Sequence, residues 1–596
     1  MNSNIISTTI LLFCGLLVMS GCGKYLDQVP NDRITIEEVF RKKGASEQYL
    51  ANVYSYIADD ANVWEGVPWF SNADEGDITW SKYRVYDLNM GNINPGNPVF
   101  DNWGHNYNGI RSASYFMAHI NENVEIRNVN GQQLIDQYHA EARCLRAFFY
   151  FQIMRQYGPV VLTGDNPASP DAPASALQLP RSSFDECVNY VVGQLDSAAQ
   201  VLPLVPSANG QPSDLEMGRM TKGIALAMKA RVLLYAASPL YNGNTDLATF
   251  KNHDGSFFIS QSYDKEKWKK AADAAKAVID LGLYSLYKDP SGDPVKSMQG
   301  IFLQAWNPEQ ILVRKKNGLP DRDVNAMPRQ AGGWCGVGVT QEQVDAYLMK
   351  DGKSIKESPL YSETGFTTVA GVSVSNMYVN REPRFYADVI YNNCVWQGGS
   401  MKAAAPVTFY LSGPNGKNGH PTDWTKTGYL VRKNIASQTN AGSGGNGQKQ
   451  ERPEIIFRLG EIYLDYVEAL NEYNPNDPDI LVYLNKIRER AGVPQYGSGP
   501  EALPVPASQA DMRAKIRLER RIELAYESHR WFDIRRWKIT AQVMGDMHGM
   551  NINKDGNDFY QRVVASRHIY IPALTWFPIS QYEMDRTKLI VQNPGW

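Results

Sequence analysis

No apolar run in this 596-residue sequence reaches the roughly 20 residues that a membrane-spanning helix needs. Neither sign of charge dominates. Sixty Lys and Arg against 63 Asp and Glu give a formal net charge of −3 and a pI near 6.3. No broad basic field is therefore available to hold nucleic acid. A content of 21% charged and 11% aromatic residues belongs to a globular chain, not a disordered one. The eight histidines show no HExxH or other paired ligand spacing, and neither a GxSxG elbow nor a phosphate loop is found. The six cysteines contain no CxxC pair, and their wide spacing selects no disulfide even in an oxidising compartment.

What is present begins at the N-terminus. Residues 10–19 form an apolar run of the length of a signal-peptide core, followed by Met19-Ser20-Gly21-Cys22. Small residues before a cysteine resemble a bacterial lipobox, so residues 1–21 are expected to be removed and Cys22 to carry the lipid, palmitate among its acyl chains. A multiply acylated cysteine anchors durably where one chain holds only marginally. No Lys or Arg precedes the apolar run, so the usual basic leader is missing.

Helical periodicity dominates the rest. Thr35 with Glu38 suits a capping box opening a helix that runs to about residue 54. Apolar residues at helical spacing predict helices over 103–123, 136–157, 184–202, 220–237, 265–281, 458–473, 478–490 and 511–537. Antiparallel pairs of this length resemble tetratricopeptide-type repeats, though the spacing is irregular. The fold expected is mostly α, a superhelical scaffold of helix pairs with long irregular loops and a few short strands. Residues 22–596 read as one domain, with the scaffold mainly at 103–285 and 455–540. The loop-rich part lies mainly at 58–102 and 290–450, where the Gly-rich stretch 440–448 reads as a flexible loop. Cys144 and Cys187 fall inside helical patterns and are expected as buried free thiols.

Five stretches, in order along the chain, carry a family resemblance. They are Cys22-Gly23-Lys24-Tyr25-Leu26-Asp27 with Glu38-Val39-Phe40, then Asn307-Pro308-Glu309-Gln310, then Asn380-Arg381-Glu382-Pro383-Arg384-Phe385. The fourth runs from Glu519 through Glu523, Glu527, Arg530 and Asp533 to Trp537, and the last is Phe577-Pro578-Ile579-Ser580 with Gln592-Asn593-Pro594-Gly595-Trp596. Together they are similar to the SusD/RagB-type outer-membrane binding lipoproteins of Bacteroidetes nutrient-uptake systems. The resemblance implies a surface-exposed, lipid-anchored protein of the outer membrane that performs no chemistry and needs no cofactor. It implies capture of an oligosaccharide or polysaccharide and its delivery to a SusC-like TonB-dependent transporter as partner. Some relatives bind peptides instead, so the fold does not fix the ligand.

A pyranose packs its C–H faces on aromatic rings while its hydroxyls need planar polar partners. Segment 62–86 supplies both kinds: Trp64, Trp69, Trp80 and Tyr83, with Asn72, Asp74 and Arg84. Trp334, flanked by glycines on a loop, is the sharpest single candidate, and the resemblance places ligand residues in that part of the chain. Trp396 and Trp424 are weaker loop candidates. Trp306, beside a strand-like run, is expected to be buried, and Trp103, Trp268, Trp531 and Trp537 to pack in the core. The alternating charges from Arg513 to Arg536 are expected to pair internally. Against these stand two other readings. Asp74, Glu75 and Asp77 are the acidic cluster a glycosidase would use, or that Ca2+ would occupy. A scaffold binding only proteins would have no use for aromatic loops.

Overall fold

The computed structural model describes residues 36–62 and 69–596, apart from 168, 170, 174, 176, 177, 209, 210 and 442–446. The export signal, Cys22, Thr35 and Trp64 lie outside the described residues.

The expected helices form, with ends set by local chemistry. Ser183 opens Phe184–Ala199 with a reciprocal capping box to Glu186, satisfying two amide donors that would otherwise be orphaned. The 26-residue helix Gln132–Tyr157 stops at Gly158, whose φ of +75° suits glycine. A Cβ at Gly158 would also meet the Trp576 ring at 2.9 Å. Lys222–Ala237 is Ala-rich and buried on nearly every side, so it sits at the centre of the stack.

Neighbouring helices pack in sequence: Trp103–His119 on Gln132–Tyr157, then Phe184–Ala199, Lys222–Ala237 and Glu266–Ile279. The chain then leaves the scaffold. It returns at Leu459–Tyr473, which packs directly on Glu266–Ile279 and carries Asp479–Arg490 and Gln509–Glu523 on its other sides. The loop-rich part is thus inserted between two consecutive members of one helical array. It has its own apolar core, built from residues such as Val337, Tyr378, Phe385, Trp396 and Leu430. Its short strands pair only two by two among the described residues.

Three expectations need correction. The helix expected to run from Thr35 to about residue 54 is two helices, Ile36–Arg41 and Lys43–Ser55, broken at Lys42, whose φ of −106° and ψ of 130° are extended. The helix expected over 511–537 is two helices, Gln509–Glu523 and Arg530–Arg536, broken where Tyr526 and Ser528 take φ of +61° and +64°. Trp306, expected in the core, is 40% exposed because its own φ of +59° turns it out beside Lys315. Trp103, Trp268, Trp531 and Trp537 are buried as expected, and Cys144, Cys187, Cys335 and Cys394 are buried free thiols.

The charged C-terminal motif is structural. Glu523 receives Arg458 at 2.8 Å, Arg384 at 3.4 Å and Arg490 closer still. Glu309 binds Arg458 at 2.7 Å and Arg490 at 2.9 Å, and Glu519 joins Arg384 to Arg488. All are essentially excluded from solvent. Three of the sequence stretches quoted above therefore meet in one buried ion network that ties the insertion to the scaffold. Desolvating so many charges is costly, and only this dense mutual pairing offsets it.

Candidate functional site

One short ladder assembles the candidate site. Gly76–Ile78 pairs antiparallel with Val337–Val339, with Asp77 opposite Gly338. The ladder continues through Thr79 N–H donating to Gly336 O at 2.9 Å. This register places Trp80 beside the 331–336 loop, and the Trp80 and Trp334 rings meet nearly perpendicular, at 82°, with centroids 6.4 Å apart. Tyr83 stands edge-on to Trp80 on its other side at 5.8 Å.

The pair is held from behind. Trp80 Nε1 donates to Thr422 O at 3.1 Å. Gly336 lies beneath the same indole so closely that a Cβ there would sit 1.8 Å from it. The Trp334 loop is strapped to the helix Leu319–Ala326 by Trp334 N–H to Val324 O (2.8 Å) and Gly336 N–H to Asn325 O (2.7 Å). Cys335 completes the turn with a φ of +55°. Arg329 fixes the facing wall, donating to the carbonyls of Pro414, Gly416 and Asp423, the last at 2.6 Å. Trp80 and Trp334 remain half-buried.

The other candidates divide sharply. Tyr83 is buried, and burial together with the nearby Asp423 charge pushes its phenol up to about 12. It supports Trp80 instead of facing out. Arg84 is exposed and pairs with Asp87 at 3.2 Å and Asn97 at 2.9 Å. Trp69, Asn72 and Asp74 correct the expectation of ligand contact, because all three are buried, Trp69 packed among other rings and Asn72 and Asp74 hydrogen-bonded inside the protein. Trp69 is wedged among Trp531, Phe532 and Phe577. Asn72 donates to Asn89 Oδ1 at 2.8 Å. Asp74 is clamped by Arg530 at 2.7 and 2.9 Å, with Arg521 at 3.1 Å, and these guanidinium groups outweigh burial and hold its carboxyl well below the ordinary range.

The rest of the acidic cluster is likewise buried. Asp77 takes Lys426 at 3.1 Å, and although burial works against ionisation, His568 and Lys426 hold its carboxyl down at about 2. Glu75 beside it is pushed up to about 8 by burial. Among the described residues no group of His, Cys, Asp and Glu is arranged to hold a metal ion. Trp396 is buried, whereas Trp424 is half-buried with Lys417 Nζ 5.1 Å from its ring. Sequence reasoning missed Gly336, Arg329 and the 422–423 carbonyls. Their role depends on a strand pairing between distant segments that leaves no local signal.

Comparison with known proteins matches this architecture. A model described as the SusD family covers residues 308–596, and one described as starch-binding, associating with the outer membrane, covers residues 24–234. The chain belongs to the SusD family. It is 23% identical to SusD-like protein P38 of Formosa agariphila, with 91% of this chain and 94% of that protein aligned. Its match to SusD-like protein P2 of the same organism is 36% identical but spans only 20% of that relative's length. A SusD-like protein from Bacteroides fragilis superposes with a TM-score of 0.75 at 25% identity, covering 96% of this chain and 100% of that one. A laminarin binding SusD-like protein superposes at 0.61 and 19% identity, with 93% and 100% covered.

Proposed function

We propose that this protein is a cell-surface glycan-binding lipoprotein of the outer membrane, which captures oligosaccharides and passes them to a TonB-dependent transporter. The observation that carries the reading is the half-buried, perpendicular Trp80–Trp334 pair, held on a SusD-family scaffold. Two ring faces at a right angle present an apolar corner on which a curved saccharide chain packs its C–H faces, at little entropic cost because the rings are already fixed. A laminarin binding protein shares the fold.

We read it as a binder and not a hydrolase. Glycoside hydrolysis needs two carboxylates flanking the bond, and the acidic cluster beside the pair, Asp74, Glu75 and Asp77, is buried, with Asp74 paired to Arg530 and Asp77 to Lys426. Anchoring through Cys22 and delivery to a barrel partner rest on the lipobox-like N-terminus and the family. Affinity electrophoresis across a glycan panel tests the central claim: retardation by at least one glycan, abolished by Trp334→Ala, is expected. Sugar release from the panel, or retardation indifferent to Trp334→Ala, refutes it. A Cys22→Ala chain that still fractionates with the outer membrane refutes the anchor.

A further inference from the structure

Across the whole chain acidic and basic residues nearly balance, 63 to 60, but around the aromatic pair they do not. The stretches that frame it, 80–84, 329–336, 398–402 and 412–426, carry six basic residues and one acidic one. They are neighbours in space. Ser400 N–H donates to Ala331 O at 3.1 Å, and the 412–426 loop is joined to the pair through Trp80 and Arg329. Two of the six charges are neutralised locally, Arg84 by Asp87 and Lys426 by Asp77.

Three of the remaining four, Lys402, Lys417 and Arg329, are of a different kind. Lys82 is exposed, its ammonium 5.1 Å from the Tyr83 ring. Lys402 is exposed two residues past Ser400. Lys417 is exposed, reaching Asn553 Oδ1 at 3.0 Å. Arg329 donates only to backbone carbonyls. Among the described residues no carboxylate pairs with Lys402, Lys417 or Arg329. Two acids meet these stretches: Asp423 accepts from Thr422 Oγ1 at 2.9 Å and lies 3.3 Å from His420 Nδ1, and the exposed Asp555 accepts from Ser412 Oγ at 2.8 Å; they are outnumbered by the four cations. The rim of the site is therefore positive on a chain whose net charge is negative.

We infer that the ligand class is an anionic glycan, carrying carboxylate or sulfate groups that the rim meets while its ring faces pack on Trp80 and Trp334. This rests on the reading of the pair as a saccharide site. Single exposed ion pairs contribute little. Several like charges around one site act together, raising local concentration of an oppositely charged ligand in a salt-dependent way.

Isothermal titration of the full chain with a polyuronate oligosaccharide, a sulfated oligosaccharide and neutral oligosaccharides of equal length tests this. The expected result is preference for one anionic series, with affinity falling about tenfold between about 0.05 M and about 0.5 M NaCl as screening shortens the reach of the rim. The Lys402→Gln/Lys417→Gln double variant is expected to weaken anionic binding several-fold and leave any neutral binding as it was. Which anionic series binds separates uronate from sulfate. Neutral oligosaccharides bound as tightly, with no salt dependence, overturn the inference and leave the glycan reading standing. Binding of no saccharide at all overturns both.

Discussion

Gly336 and Trp80 are in direct contact: the Trp80 indole lies on the Gly336 backbone where a side chain would begin, 1.8 Å from an added Cβ. The contact makes a separable prediction. Gly336→Ala overpacks this site at a cost of about 1–3 kcal/mol and pushes the indole off its platform. Glycan affinity is expected to fall as far as it does in Trp80→Ala. The stability cost should vanish when Gly336→Ala is made in the Trp80→Ala background, since the clash has lost its partner. Urea midpoints of the two singles and the double decide this, and additive costs would mean that the contact is not the source.

The ion network between the insertion and the scaffold makes a prediction about stability. Glu523 faces three arginines at once. Glu523→Gln removes the charge and leaves Arg384, Arg458 and Arg490 buried without their common counter-ion, which costs about 3–5 kcal/mol. Removing an exposed pair such as Lys269–Asp273 through Asp273→Asn should leave the denaturation midpoint unmoved. A Glu523→Gln midpoint within error of the parent would show that the network stabilises nothing.

Acid–base behaviour follows from the buried carboxyls. Burial pushes Glu75 up to about 8 and Asp388 up to about 7 in the folded protein, so the native state keeps protons that the unfolded chain has already released. Where the folded state binds more protons, stability falls as pH rises. These two groups therefore lower stability progressively from about pH 4 to about pH 8. Glu468 acts oppositely: despite its burial, Arg536 holds it down at about 2, and the stability this brings is lost as pH falls from about 4.5 through 2. The denaturation midpoint is expected to be higher at about pH 5 than at about pH 8, and Glu75→Gln should flatten that slope. A midpoint that rises over the same interval contradicts the assignment.

Much of the scaffold was legible in the sequence because its signals are local. Apolar residues at helical spacing announced the helices Phe184–Ala199 and Gln132–Tyr157, and Gly158 marks the end of the second. The structural role of the 513–536 charges could be read from their alternation, but the expected internal pairing holds only for Asp533 with Arg520 and Arg536 among the described residues. Glu519, Glu523 and Glu527 instead bind Arg384, Arg488 and Arg458, which come from distant stretches. Residues 69–84 show the limit most clearly. Trp69 and Trp80 sit in the same irregular, Gly- and Asp-rich context, yet one is packed against Phe532 and the other faces Trp334. Pairing of Gly76–Ile78 with Val337–Val339 settles which ring turns inward, and a register between strands so far apart leaves no trace in either segment alone.

The break between Gln509–Glu523 and Arg530–Arg536 was illegible for another reason: no glycine or proline marks it. Ser528 instead carries a φ of +64°, in a region that costs a residue with a Cβ roughly 1–2 kcal/mol. Its strain is tolerated because the turn aims Glu527 at Arg458 and Lys433 and Asp533 at Arg520 and Arg536. Ser528→Gly removes the steric penalty and leaves that aim unchanged. The extra freedom glycine brings to the unfolded chain takes back about 0.5–1 kcal/mol. The net expectation is a gain of about 0.5–1 kcal/mol, read as a higher urea midpoint with an unchanged slope. Ser528→Ala, which keeps the Cβ, should not show it, and Ser528→Val, with its stiffer branched side chain, should lower the midpoint. If glycine and alanine behave alike, the turn is not held against steric strain, and the two helices are separated by the ion pairs alone.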